Sequence, residues 1–173
     1  MSEPVQALIV VDMQRGLLAG PEAVVGAAAL TARVQELIRR ATAAGVLVVQ
    51  LQNDGAPGQV DEPEQPGWEL ALTGGTVLRK ATDDGFAGTP LGRLLTERGV
   101  RRVALCGVLS EMCVSATARS ALARGLGVVL PRDGHGTYDL DDIPAAVVAR
   151  VAEHALGDQP ELVATTAEVR FGH

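Results

Sequence analysis

Apolar positions along this chain alternate between two patterns. Short, largely apolar runs begin at Ala7, Val46, Val103 and Val128, and each reads as a strand buried on both faces. The first spans 7–14 and ends at Asp12-Met-Gln14, the second covers 46–51, the third 103–106 and the fourth 128–130. A short strand over 76–80 and a last one over 161–167 complete the set. Between them the spacing changes to that of helices. Over 26–44, Leu30, Val34, Leu37 and Ile38 share one face, and Gly45 closes the run. Another helix starts at Thr89, with Pro90 in its first turn and Leu91, Leu94 and Leu95 turned inward. After Ser110, a good N-cap with Glu111 behind it, Val114, Ala118, Ala121 and Leu122 mark a third helix that Gly125 ends. A fourth covers 142–155. Strands alternating with amphipathic helices predict a doubly wound α/β fold: a three-layer α-β-α sandwich, a mostly parallel sheet and a single domain over 1–173.

Residues 52–76 break the rhythm. Three prolines (Pro57, Pro63 and Pro66) and three acids (Asp61, Glu62 and Glu64) make a long irregular connection, the kind that is functional or mobile inside a compact domain. Trp68, the single tryptophan, stands at its end and reads either as a pocket wall or as the anchor of the loop.

Composition narrows the function classes. A net charge of −6 argues against nucleic acid or an anionic membrane surface as partner. No run approaches the roughly 20 apolar residues that span a bilayer, and Met1-Ser-Glu-Pro lacks the features of a secretory leader, so the expected location is cytoplasmic. Two cysteines seven positions apart form neither a disulfide framework nor a zinc spacing. Of the 15 basic residues, Lys80 is the only lysine. In a chain that uses arginine for every other cation, a retained ammonium points to a need for a compact point charge with three donors.

The chemistry concentrates at strand ends. Asp12 closes the first strand, Lys80 the short one, and Cys113 falls in the first turn of the helix after 103–106, where the dipole favours a thiolate. In a doubly wound sheet all three share the carboxyl rim. A thiol nucleophile, a carboxylate that takes and returns protons, and an ammonium that holds the carboxylate and favours the thiolate form a complete set. His135, His154 and His173 are poorly placed for a Cys-His pair. Cys106, inside its strand, reads as core.

Three segments, in order, resemble the isochorismatase-like cysteine hydrolases, the superfamily of nicotinamidases and N-carbamoylsarcosine amidohydrolases. They are Leu8-Ile-Val-Val-Asp12-Met-Gln14, Lys80-Ala-Thr-Asp-Asp-Gly-Phe86-Ala-Gly-Thr-Pro-Leu91 and Cys106-Gly-Val-Leu-Ser-Glu-Met-Cys113-Val-Ser-Ala-Thr-Ala118, with Thr165-Thr-Ala-Glu-Val169 also fitting. The resemblance implies an Asp12-Lys80-Cys113 triad and a cis peptide between Val108 and Leu109. It implies an oxyanion hole from the backbone N–H groups of Leu109 and Cys113, with Ser110 capping a neighbouring N–H. Phe86 would pack over the site as gate or wall, beside Trp68 as a second candidate for contact with substrate. Nicotinamidases carry Asp and His metal ligands after the second strand, whereas Gln52-Asn-Asp-Gly-Ala-Pro holds no His, so no metal and no other cofactor is expected. The nucleophilic Cys favours hydrolysis of a C–N bond (amide, lactam or carbamoyl) in a small molecule through a thioester acyl-enzyme. The acids of the loop either point to a cationic substrate, as in the streptothricin hydrolases that open a lactam in a basic antibiotic, or are simply solvated. The resemblance also implies a homo-oligomer, dimer or tetramer.

Two other classes compete. Cys113 to Arg119 is a Cys-x5-Arg string, the signature of thiol phosphatases, although Val, Ser, Ala, Thr and Ala between the two prefer to continue as helix. A non-enzymatic α/β binding domain would leave Cys113 inert and tolerate loss of Asp12.

Overall fold

In the computed structural model, which describes residues 3–172, the apolar run Ala7–Val11 forms strand β1, and every residue of it is buried. Two of the residues that open the chain, Met1 and Ser2, lie outside the described residues, as does His173. Strand β1 occupies the centre of the sheet. Leu47–Asn53 (β2) and Thr76–Lys80 (β3) extend it on one side, and Arg102–Val108 (β4), Gly127–Pro131 (β5) and Glu161–Val163 (β7) on the other. A two-residue strand, His135–Gly136 (β6), continues the sheet beside the end of β4. All these pairs are parallel.

Helices cover both faces, as the alternating patterns require. Helix α1 is a single turn at Arg15–Leu18, followed by α2 (Ala27–Ala43), α3 (Leu91–Glu97), α4 (Ser115–Ala123) and α5 (Ala145–His154). On one face Leu30, Val34, Leu37 and Ile38 of α2 pack on Leu8, Val10, Ala104 and Cys106. On the other, Leu91 and Leu95 of α3 and Ala118 and Ala121 of α4 pack on Ile9, Val11, Val103 and Leu105. Even and odd residues of β1 thus serve opposite layers, which is why the run has no polar member until Asp12.

Several boundaries differ from expectation: β1 ends at Val11, not 14, β2 and β4 run on to Asn53 and Val108, and α3 begins at Leu91 instead of Thr89. The last strand stops at Val163 instead of reaching 167. Thr165 and Glu168 form a capping box that opens the 3-10 turn Thr166–Glu168, with Glu168 accepting the Thr165 N–H at 3.0 Å, and this overrides the β-branched pattern. Helix α5 begins at Ala145, not 142, because Pro144 disfavours helical backbone at Ile143 before it. The loop after β1 holds the single turn α1.

The strand order β3-β2-β1-β4-β5-β7 has a consequence for function. The chain leaves β1 in one direction, through β2 and β3, then returns to start the other half at β4. The crevice between the carboxyl ends of β1 and β4 is therefore the topological switch point, where open α/β sheets bind ligands. Gly107 allows the two strands to close there. Its φ is +123°, and a Cβ would sit 2.1 Å from the Val11 carbonyl oxygen. Gly107→Ala is expected to cost about 2–6 kcal/mol, strain and overpacking together. A urea melt checks this, and wild-type stability would mean that β1 and β4 separate there freely.

Candidate active site

The sheet register brings the candidate residues to one rim. β1 runs into Asp12, whose backbone enters the left-handed region at φ +49°. Asn53, the last residue of β2, lies opposite Lys80, the last of β3. β4 ends at Val108, which joins Leu109 through a cis peptide. A π-helical turn, Ser110–Val114, follows and passes directly into α4. The Val114 N–H reaches back five residues to the Leu109 carbonyl at 3.2 Å, so Cys113 sits on a turn wider than the α-helix the spacing predicts.

The lone lysine is the hub. Lys80 is 3% exposed, and its Nζ lies 2.8 Å from Asp12 Oδ2. It also donates to Thr82 O at 3.0 Å, Asn53 Oδ1 at 3.1 Å and Cys113 Sγ at 3.4 Å. Four acceptors gathered around a point suit a compact ammonium, whereas a planar guanidinium would not fit them. Asp12 is buried, and its second oxygen, Oδ1, makes no hydrogen bond among the described residues. Asn53 in turn donates to Asp61 Oδ2 at 2.7 Å, tying the acidic loop to the lysine. The Cys113 thiol is 3.5 Å from Asp83 Oδ1.

Burial and charge compete at each of the three groups. Burial pushes the Asp12 carboxyl up and Lys80 opposes this without cancelling it. For Lys80, burial acts downward, but the Asp12 and Cys113 charges outweigh it and hold the ammonium above its ordinary value. Burial, then the Asp12 charge, pushes the Cys113 thiol up against the pull of Lys80. Burial and the Asp12 charge thus act on this thiol against the helix dipole and the lysine, which favour a thiolate. Cys106 is fully buried in β4, and burial alone raises its thiol.

The cluster opens into a cavity of about 450 Å3 lined by Val108, Leu109, Met112 and Cys113 on one side and by loop residues Gly58 to Asp61 on the other. Four carboxylates (Asp12, Glu22, Asp61 and Asp83) line it, and no lysine or arginine does among the described residues.

Other expected site residues take different places. Phe86 does not line this cavity. It is buried in the core with Leu91 and Leu95, the Arg124 guanidinium stacked 4.4 Å from its ring. Trp68 anchors its loop: its Nε1 donates to Asp54 at 3.0 Å, Arg79 stacks on the ring at 4.9 Å, and its carbonyl accepts from Gln14 and Gln52. Ser110 caps no N–H of the turn and bonds instead with His135 Nδ1 at 2.8 Å. Where metal ligands would follow β2, Asn53 is engaged by Lys80 and Asp61, and Asp54 by Arg79 and Trp68. Among the described residues no group of three or more His, Cys, Asp or Glu could hold a metal ion. No helix among them is long and apolar enough to cross a membrane.

The sequence reading missed Asn53, Asp83 and Gln14. Gln14 is fully buried, donating to Asn53 O at 2.9 Å and accepting the Asn53 N–H at 2.9 Å. Amides embedded in apolar strands (Gln14, Gln50 and Gln52) were the available signal, since burial obliges such groups to find partners.

The chain is similar to known proteins over nearly its whole length. A model of the isochorismatase domain matches residues 6–160. Two streptothricin hydrolases of Streptomyces noursei are 55% and 54% identical to the chain, over 97% and 96% of its length. The chain spans 71% and 65% of those two proteins. An isochorismatase of Pseudomonas putida, solved as a crystal structure, superposes with a TM-score of 0.87 at 27% identity, over 98% of this chain and 94% of the other.

Proposed function

Because the chain belongs to the isochorismatase family of hydrolases, we propose that it cleaves a C–N bond of a small cationic molecule, an amide or lactam, through a thioester on Cys113. The observation that carries this reading is a single buried lysine in contact with both Asp12 and Cys113, two residues that line an anionic cavity. Asp12 Oδ1, buried and without a partner, takes the thiol proton as Sγ attacks the carbonyl carbon. The backbone N–H groups of Leu109 and Cys113 receive the oxyanion, each worth about 2.7–4 kcal/mol at the tetrahedral intermediate. Asp12 then delivers its proton to the leaving nitrogen, and the C–N bond breaks to leave the thioester. A water molecule gives one proton to Asp12 as its hydroxyl adds to the thioester, the departing thiolate takes that proton back, and the carboxylic acid released ionises in solvent. Lys80 holds Asp12 in place and balances its charge throughout.

The lining carboxylates favour a substrate that carries positive charge, and a basic lactam antibiotic of the streptothricin kind is the specific candidate. A phosphate ester fits poorly. Arg119 of the Cys-x5-Arg string is exposed on continuous helix α4 and contributes nothing to the cavity, whose carboxylates repel a dianion.

The test is a panel of amides and lactams in cationic and neutral isosteric pairs, streptothricin included, followed by mass spectrometry for the addition of water and for an acylated Cys113. Cationic members are expected to turn over with lower KM. Glu22→Gln, at the exposed wall of the cavity, is expected to raise KM for the cationic member about 2–5-fold, equivalent to ~0.4–1 kcal/mol, with a smaller effect on its neutral isostere. Equal handling of both members would remove the cationic part of the reading. Absence of any turnover or acyl-enzyme across the panel would remove the rest.

A further inference from the structure

Behind the nucleophile turn lies a buried polar chain that the mechanism does not use. Ser110, the first residue of that turn, is 2% exposed, His135 7% and Glu153 3%. Ser110 Oγ lies 2.8 Å from His135 Nδ1, and His135 Nε2 faces Glu153 Oε1 at 3.4 Å. Arg132 and Arg150 flank the other Glu153 oxygen, each at 3.2 Å. We infer that His135 and Glu153 are positioning residues, which hold through Ser110 the turn that presents Cys113 and the oxyanion donors. The inference rests on the proposed hydrolase chemistry and adds to it the device that fixes its geometry.

The fold explains how the chain is assembled. Strand β6 pairs with the end of β4, His135 opposite Gly107 and Gly136 opposite Val108, so the imidazole stands beside the segment that leads into the turn. Helix α5 delivers Glu153 from behind. The carboxylate opposite Nε2 assigns the imidazole proton to that nitrogen, which leaves Nδ1 to accept the Ser110 hydroxyl. The Ser110 carbonyl is held as well, accepting from Ser115 Oγ at 2.8 Å. The next residue is tied to the same strand region, since Thr137 Oγ1 donates to Glu111 Oε1 at 2.9 Å. Consecutive residues of the turn are therefore tethered to 135 and 137, on the side away from the cavity.

Stability alone gives no reason for this chain. His135 Nε2 and Glu153 Oε2 are buried without an aligned hydrogen bond, and well-packed apolar residues commonly serve a core at least as well as such groups. What the chain supplies is position. Leu109 and Cys113 flank Ser110 within the same short segment, and a small misplacement of their N–H groups is felt only when charge develops on the substrate oxygen.

Two reactions of one thiol separate this role from a merely structural one. Acylation of Cys113 by p-nitrophenyl acetate passes through a tetrahedral oxyanion, whereas alkylation by iodoacetamide is a direct displacement that forms none. Both are measured by intact mass on the full chain, with thermal unfolding as a check of fold. Ser110→Ala, which removes one hydroxyl, is expected to slow acylation about 10–100-fold while alkylation stays within about 2-fold of wild type. His135→Ala is expected to do the same, the double variant to be no slower than the worse single one, and His135→Asn, which keeps a polar group near the place of Nδ1, to recover much of the loss. Wild-type acylation in Ser110→Ala, or acylation and alkylation falling together, would overturn the positioning role alone. A wild-type thiol that alkylates but never acylates would overturn the hydrolase reading, and this inference with it.

Discussion

Cys113→Ala is expected to abolish turnover, with a fall in kcat of about 10⁶-fold, the scale at which loss of a covalent nucleophile removes the whole acyl-enzyme route. Substrate affinity should survive, because the carboxylates that line the cavity and the Lys80–Asp12 pair remain. The side chain is small and borders the cavity, so the fold should survive too. Cys113→Ser is the sharper version. It keeps a proton donor at the same place, but its oxygen gives up a proton far less readily than sulfur, and Asp12 must then drive an unfavourable transfer. Kinetics on a substrate from the panel, with intact mass to confirm that no acyl-enzyme forms, check the result. Cys106→Ala provides the contrast. That thiol lies inside β4, packed in the core under α2 and 3.8 Å from the Ile9 carbonyl, so its loss should lower stability and leave catalysis intact. Turnover in Cys113→Ala within about 100-fold of wild type would remove the covalent mechanism, since positioning and electrostatics alone would then account for most of the rate.

Much of this candidate site is legible in the sequence, for specific reasons. Asp12 and Cys113 follow strands whose apolar runs are unmistakable, and the switch-point rule places the ends of such strands together. Lys80 stood out by composition, as the one ammonium among fourteen guanidinium groups, and its buried position among Asp12, Asn53, Thr82 and Cys113 gives that oddity a cause. What spacing could not supply was register and side-chain partnership. Asn53 meets Lys80 only because β2 and β3 pair with those two residues opposite each other. Ser110 has the chemistry of a helix cap, yet β6 puts an imidazole within its reach and the hydroxyl goes there. Phe86 follows a turn that faces the site, but Thr117 Oγ1 accepts the Gly85 N–H at 3.0 Å and draws this segment onto α4, which carries the ring into the core. Trp68 offered two readings from sequence, and the indole N–H decided between them by finding Asp54. The balance of charges at the thiol is not legible from spacing either. A dipole and a lysine favour the thiolate, while burial and the neighbouring carboxylate, which only the fold brings together, act against it.

That same balance of charges makes Asp12 the residue whose loss should be most informative after the nucleophile. Asp12→Asn is expected to lower kcat about 10²–10⁴-fold, the usual worth of a positioned general base. The amide nearly matches the carboxylate in shape, and Lys80 keeps its contacts with Asn53 and Thr82, so thermal unfolding should detect a folded protein. The pH profile carries the stronger test. Asp12 accepts the thiol proton only when ionised, so kcat/KM of the wild type must fall as pH drops through the Asp12 pKa. Burial lifts that pKa above the ordinary carboxylate value of 3.8, which places the acid limb higher than an exposed aspartate would. Lys80, held above its own ordinary value by Asp12 and Cys113, stays an ammonium across that range and adds no limb there. In Asp12→Asn the residual rate should lose the acid limb together with the carboxylate. Retention of the limb, or of more than about a tenth of kcat, would assign the proton transfer to another group, because a general base typically contributes at least about 100-fold. Asp83, whose Oδ1 lies 3.5 Å from the same sulfur and which lines the same cavity, is then the next base in line, and Asp83→Asn would carry the loss that Asp12→Asn did not.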